Sequence, residues 1–339
     1  MKHLIVKVMV TLSILVLFGC ATTPSTIHSD LGMGGDGRIY FTSTSPNTPF
    51  EAFTQTQSDG LATVTVWGDL SFPQHLSDDA LVPAVVIIHG SSGVSGNNST
   101  WIRRLNSSGF ATFEINSYRG RGVSSTVGNQ HKVRHSMMVS DAYNALSLLA
   151  SHPSIDQERI GLMGFSKGGM VTVDALWERR RQSEVSDDKK FAAHLALYPA
   201  CLNYEVFEPT GAPILYLLGG RDDWTPPSQC ISLVEQLKAR DYPAAAVVFD
   251  DAVHAFDSPF EVGRREGAYN EAENCDPVVS ANGEQFEGNS GMPMNTSSEA
   301  LAALRNCSGI GEVWAGSAPA IRERAFTEGI RFFSQHLSE

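Results

Sequence analysis

The chain has 339 residues, 42% of them apolar, which is enough to bury the core of one large α/β domain or two small ones. Its 25 Lys plus Arg stand against 37 Asp plus Glu, a formal net charge of -12. No basic stripe is present that would neutralise phosphates, so nucleic acid is excluded as an expected partner.

Met1 to Gly19 carry Lys2 and Lys7, then an apolar run from Val8 to Phe18. A charged start, an apolar centre too short to span a bilayer comfortably and a small residue before a cut follow the plan of a secretory signal peptide, expected over 1–19. Leu17-Phe18-Gly19-Cys20 resembles the bacterial lipobox, in which the cysteine is lipidated and becomes the first mature residue; the alternative is an ordinary cleaved signal with an incidental cysteine. Ala21 after Cys20 resembles the outer-membrane sorting default. The expectation is export to a bacterial cell envelope as an outer-membrane lipoprotein, facing the periplasm or the surface, with membrane contact only through the lipid. Residues 20–37 read as a tether. Within it, Gly32-Met-Gly34-Gly-Asp-Gly37 fits Gly-x-Gly-x-x-Gly, but a polar stretch precedes it and a strand follows, so it reads as a flexible linker and not a dinucleotide site.

From residue 38 to 339 a single domain is expected. Ile39–Thr44 and Leu61–Trp67 alternate apolar and polar residues, as in antiparallel strands with one buried face. Pro83–Ile88 is continuously apolar, as in a central parallel strand covered on both sides. A short helix around Trp101–Leu105, a strand from Phe110 and a helix over Val133–Ala150 continue the alternation. His131 and His135 stand four apart on one helical face without a carboxylate companion, so they read as solvated or core histidines and no metal is expected. Tyr118-Arg119-Gly-Arg121 reads as exposed loop charge on the ligand side of the sheet, with contact to an anionic substrate as the alternative. Arg159–Met163, Ala193–Tyr198, Pro213–Leu218 and Ala244–Phe249 are strand-like, with helices over Met170–Arg179 and Pro227–Lys238 between them. Repeated β-α-β units give a mostly parallel, twisted sheet with helices on both faces. Ser317–Leu337 reads as a closing helix burying Ile321, Ala325, Phe326, Ile330, Phe333 and Leu337.

In an oxidising compartment the even set Cys201, Cys230, Cys275 and Cys307 favours disulfides over metal binding. Cys201 follows a strand end and Cys230 follows the expected acid loop, while Cys275 and Cys307 share one late segment, so these are the expected pairs among the three that four cysteines permit, with free buried thiols as the alternative. That segment, 257–316, is an insertion with a capping-box helix from Thr296 and Glu299. It either covers the active site in part or is a surface excursion.

Gly164-Phe-Ser166-Lys-Gly168 sits between a strand and a helix, the context of a nucleophile elbow. His89-Gly-Ser91-Ser92-Gly, at the end of the Pro83 strand, is positioned to supply an oxyanion-hole amide from Ser91, with Ser92 second and the other amide from Lys167. Asp222, with Asp223 as the competing choice, follows the Pro213 strand, and His254 follows the Ala244 strand. The order Ser166, Asp222, His254 is that of the α/β-hydrolases. Trp224, Tyr118 and Phe165 are candidate pocket walls.

These four motifs, with Gly219-x-x-Asp222-x-x-x-Pro226 and His254-Ala-Phe among them, resemble the dienelactone hydrolase family over about Leu61–Phe256. The family's namesake enzymes use a cysteine nucleophile, and Ser166 departs from that. The resemblance implies an α/β-hydrolase fold and a serine hydrolase cleaving carboxylic esters or lactones of small molecules through an acyl-enzyme, without a cofactor. The alternatives are a serine peptidase of prolyl-oligopeptidase type, for whose propeller Met1–Ile39 leaves no room, and a non-catalytic envelope lipoprotein that uses the fold for binding.

Overall fold

The computed structural model describes residues 26–46, 51–52, 60–74, 81–185, 187–270 and 274–338. The expected signal peptide and Cys20 lie outside the described residues. Among those described, no helix is long and apolar enough to cross a membrane.

The first half of the chain comprises β1 (Ile27–His28), β2 (Gly37–Thr44), β3 (Thr63–Ser71), β4 (Val82–Ile88), α1 (Gly96–Ser107), β5 (Ala111–Asn116) and α2 (His135–Leu149). Then come β6 (Ile155–Phe165), α3 (Lys167–Asp174), α4 (Glu178–Glu184), β7 (Ala193–Leu197), β8 (Asn203–Tyr204), β9 (Ile214–Gly219), α5 (Ser228–Lys238) and β10 (Ala244–Phe249). One nine-stranded sheet runs in the order β1-β2-β3-β5-β4-β6-β7-β9-β10. Its strands from β5 to β10 are all parallel, while β3 runs against both β2 and β5. The ends of β4, β6, β9 and β10 therefore emerge on one edge, which is where chemistry can be assembled from separate parts of the chain.

Strand β4 shows why the sheet is central. Val85 and Ile87 pack with Trp101, Phe326 and Phe333 on one face, while Ala84, Val86 and Ile88 pack with Met138, Ala142 and Leu149 on the other. Successive side chains of a strand point to opposite faces, so an unbroken apolar run needs a core on each side. Helices α1 and α7 (Pro319–Leu337) cover the first face and α2 the second. In α7, Ala325, Phe326, Phe333 and Leu337 are buried as the periodicity predicts, joined by Phe332, while Ile321 and Ile330 are half-buried.

Three expectations change. The elbow helix does not run to Arg179: it ends at Asp174 with Ala175 as its C-cap, Trp177 is extended and bridges Pro209, and α4 follows. That break buries the indole of Trp177 against Tyr204 and Phe207 at ring separations of 5.4 and 6.2 Å. The tether is docked before Gly37, because β1 pairs with β2, Leu31 is buried with its amide on Ser151 Oγ, and Gly35 O meets His152 Nε2 at 2.9 Å. Arg121 is neither exposed nor available to substrate: its guanidinium forms a bidentate pair with buried Asp141 at 2.8 and 2.9 Å and also bonds Thr44 O and Ser117 O.

The insertion adds β11 (Gly263–Asn270), β12 (Pro277–Val279), β13 (Gln285–Glu287), α6 (Ser297–Cys307) and β14 (Gly309–Ala315). Strands β11 and β14 pair with each other, and β13-β12 extends along β8. Thr296 and Glu299 form the capping box that starts α6. Disulfides join Cys201 to Cys230 and Cys275 to Cys307. The first ties the loop after β7 to α5, and the second ties the approach to β12 to the end of α6.

Candidate active site

Strand β6 ends at Phe165 and α3 starts at Lys167, leaving Ser166 at φ 52° and ψ -113°. A non-glycine residue in that region stores about 1–3 kcal/mol of strain, tolerated only where the surroundings enforce it. Here they do. A Cβ on Gly168 would overlap the carbonyl oxygen of Ile88, so β4 and the elbow pack backbone against backbone, and the Ser166 amide is held on Leu197 O at 2.9 Å.

Ser166 Oγ lies 3.0 Å from His254 Nε2, and His254 Nδ1 lies 2.8 Å from Asp222 Oδ2. Asp222 and His254 are buried, at 4% and 3% exposure, and Ser166 is half-buried. The other oxygen of Asp222 accepts the amides of Trp224 at 3.0 Å and Thr225 at 2.8 Å, which fixes the carboxylate plane. With an acceptor facing Nδ1, that nitrogen carries the proton and Nε2 presents a lone pair to the serine. Asp223 points elsewhere: its Oδ1 accepts the amide of Trp314 at 3.0 Å, fastening the insertion. The insertion returns beside the base, with His254 N on Trp314 O at 3.2 Å and Gly316 N on His254 O at 2.8 Å.

Sequence reasoning missed three supporting residues. Thr225 Oγ1 sits 2.9 Å from Asp222 Oδ2, 3.0 Å from His254 Nδ1 and 3.1 Å from Tyr198 O, bridging acid, base and the end of β7. Tyr198, at φ 36°, turns its ring edge to the His254 imidazole with centroids 4.9 Å apart. Its hydroxyl donates to Asp257 at 2.6 Å, which also accepts from Trp101 Nε1 at 2.8 Å and Asn97 Nδ2 at 3.1 Å. Burial raises the Asp257 pKa, and these three donors work against that rise. Asp257 follows His254 by three residues and Thr225 follows Asp222 by three, a spacing that turn chemistry favours and that could have singled them out.

The oxyanion-hole candidates lie beside Ser166: Ser91 and Lys167 line the same cavity as the serine. The Lys167 amide belongs to the first turn of α3, where N–H groups lack intrahelical acceptors. The Ser91 loop abuts the elbow, since a Cβ on Gly90 would stand 3.2 Å from Phe165 O and 3.5 Å from Ser166 Cβ. His89 orients that loop and is not a base. Its Nδ1 bonds Gly90 O at 2.8 Å, its Nε2 accepts the Ser117 amide at 3.2 Å, and burial pushes its pKa down to about 4.

Among the described residues, the Lys167 ammonium has no carboxylate bonded to it. It donates to Gln130 O at 2.6 Å, to Val133 O and to Thr126 Oγ1 at 3.3 Å, and burial, with Arg134 nearby, lowers its pKa to about 7. Those bonds tie the loop preceding α2 to the elbow. His131 and His135, on that loop and at the start of α2, line the cavity and are not on a solvated face. Burial lowers them to about 4 and about 3, and among the described residues no group of three His, Cys, Asp or Glu is arranged to hold a metal.

The cavity has a volume of about 220 Å³. Trp224 lines it, as expected, with its ring 4.7 Å from that of His254. Tyr118 and Phe165 do not. Tyr118 is turned inward, its hydroxyl on Thr126 Oγ1 at 2.9 Å and its ring edge-on to His89 at 4.3 Å. Phe165, the last residue of β6, points into the core between Trp101 and Tyr198. Cys201 and Cys275, each from one disulfide, contribute to the walls.

The sequence model of the dienelactone hydrolase family matches residues 74–279, from just before β4 through the base and into the insertion. The chain belongs to the dienelactone hydrolase family. As a member it is a carboxylic ester hydrolase with the α/β-hydrolase fold. A protein of Salmonella typhimurium provisionally named a carboxymethylenebutenolidase is 24% identical over 223 residues, covering 62% of this chain and 82% of the relative. Among solved structures, one from Klebsiella pneumoniae provisionally named a dienelactone hydrolase has a TM-score of 0.51 at 16% identity, covering 88% of this chain and 100% of that one. A dienelactone hydrolase-like promiscuous phosphotriesterase from metagenomic libraries has a TM-score of 0.52 at 14% identity, covering 88% and 99%. These two likenesses bear on the fold alone. In this family member the matched stretch contains Ser91, Ser166, Lys167, Asp222 and His254, and it ends before most of the insertion.

Proposed function

We propose that Ser166 is the nucleophile of a serine carboxylesterase that hydrolyses small esters or lactones through an acyl-enzyme, with His254 as base and Asp222 as its orienting acid. The observation that carries this reading is the hydrogen-bonded run from Ser166 Oγ to His254 Nε2 at 3.0 Å and from Nδ1 to Asp222 at 2.8 Å. A neutral hydroxyl is a weak nucleophile, so as Oγ attacks the carbonyl carbon its proton passes to Nε2, and Asp222 stabilises the imidazolium. Negative charge develops on the carbonyl oxygen, where the amides of Lys167 and Ser91 serve as donors, each worth roughly 3 kcal/mol. The alcohol leaves with the proton from His254. Water, deprotonated by the same nitrogen, then cleaves the acyl-serine and releases the acid. The proton that Ser166 gives up leaves with the alcohol, and the proton that His254 takes from water returns to Ser166 Oγ as the acyl bond breaks. The test compares Ser166→Ala with the parent on short p-nitrophenyl esters. A fall of roughly 10⁴–10⁶-fold in kcat is expected, and equal turnover by the two proteins would sink the assignment.

We also propose that the chain is exported to a bacterial envelope and held there by a lipid on Cys20, supported by the charged start, short apolar run and Leu-x-Gly-Cys at residues 1–20. Intact-mass analysis of protein made in a bacterial host tests this. An unmodified mature terminus elsewhere than Cys20 would refute it.

A further inference from the structure

The outer wall of the cavity is built by residues beyond the stretch that matches the family. The match ends at residue 279, whereas Met294, Ala300 and Leu304 line the cavity that Ser166 opens into. These three share a small apolar cluster with Met292 and Ala303, separate from the cores of the sheet. Ala300 and Leu304 are one turn apart on α6, so both look out from one face of that helix. The wall is fastened at several points: the capping box at Thr296, the Cys275–Cys307 disulfide, the pairing of β12 with β8, and the Trp314 amide on Asp223. Its distance from Ser166 is thereby set by the fold.

Beyond residue 279 the wall is mostly apolar: Gln285 brings its one polar side chain, and Met294, Ala300 and Leu304 make up the rest. These last three side chains carry no hydrogen-bonding oxygen or nitrogen, so a charged or polar group pressed against them would lose its hydration without replacement, whereas an alkyl or aryl group would gain by leaving water. Space is limited as well. The cavity, at about 220 Å³, is smaller than the roughly 300–1,000 Å³ of pockets that take drug-sized ligands.

We infer that Met294, Ala300 and Leu304 form the stop against which the apolar group of the substrate ends, so that this chain's insertion restricts the enzyme to esters and lactones with short apolar groups. The inference rests on the reading of Ser166 as the esterase nucleophile. A methylene gained or lost in an apolar pocket changes kcat/KM by roughly 10–200-fold, so one residue at the stop should move the preferred chain length.

The experiment measures kcat/KM on p-nitrophenyl acetate, butyrate and octanoate for the parent, Met294→Ala and Ala300→Leu. The octanoate-to-acetate ratio of kcat/KM is expected to rise at least about tenfold in Met294→Ala and to fall by a similar factor in Ala300→Leu. The two substitutions act in opposite directions, so general loosening of the insertion cannot produce both results. Calorimetric binding of butyrate and octanoate to the same variants in a Ser166→Ala background reads the wall without turnover, and the same order of preference is expected. A ratio and a binding order unmoved by both substitutions would overturn the inference. A parent that discriminates chain length in binding yet hydrolyses no ester would sink the esterase reading and leave the wall intact.

Discussion

Replacing Asp222 by Asn changes one atom and leaves the shape of the site. Asp222 Oδ1 accepts two backbone amides, from Trp224 at 3.0 Å and Thr225 at 2.8 Å. An NH₂ placed there would face two donors, so the amide oxygen keeps that position and the NH₂ turns toward His254 Nδ1, 2.8 Å away. Nδ1 must then accept, which moves the imidazole proton to Nε2, the nitrogen 3.0 Å from Ser166 Oγ. A base that already carries its proton cannot take another from the serine. In serine hydrolases with the same constellation this tautomer change costs roughly 10⁴-fold in kcat, or about 5 kcal/mol of barrier. The assay is steady-state hydrolysis of p-nitrophenyl acetate beside a thermal melt. Activity within about tenfold of the parent, in a protein that melts like the parent, would refute the assigned roles of Asp222 and His254.

Thr225→Val removes the hydroxyl that bridges Asp222, His254 and Tyr198 O while keeping the shape of the side chain. The loss of one hydrogen bond of about 1–1.5 kcal/mol predicts roughly a tenfold fall in kcat/KM, and an unchanged value would show that Asp222 holds the imidazole unaided. Lys167 supplies a pH test. Its pKa is held at about 7 in the folded protein against the ordinary 10.5. Between those values the unfolded chain binds more protons, so stability rises with pH by up to about 1.4 kcal/mol per unit across that window. Lys167→Met is expected to flatten the rise between pH 7.5 and 9.5 in urea unfolding, and equal slopes for the two proteins would contradict the lowering of the Lys167 pKa by burial.

The parts of the site that follow strand ends were legible in the sequence. Ser166, Asp222 and His254 each stand just after an apolar run, and parallel strands deliver such positions to one edge whatever their separation along the chain. Side-chain direction was not legible in the same way. Tyr118 and Phe165 occupy loop and strand-end positions on the correct side of the sheet, yet both rings turn into the core, because direction depends on the pleat and on partners such as Thr126 and Trp101 that are distant in sequence. The same reason hides Arg121, whose carboxylate partner lies 20 residues away on a helix. Trp177 ends the elbow helix through tertiary burial against Tyr204 and Phe207, against the local preference for continuing it. The insertion carries no periodic pattern long enough to position it, and its relation to the cavity emerges only from its disulfide and its pairing with β8.

The docking of residues 31–35 against Ser151 and His152 has a consequence for how the enzyme would stand on a surface. Those contacts lie at the start of β6, and Ser166 at its far end; eleven residues of strand span about 35 Å. Under the proposed lipidation of Cys20, the described chain is therefore fastened at the end of β6 opposite to the one that carries Ser166.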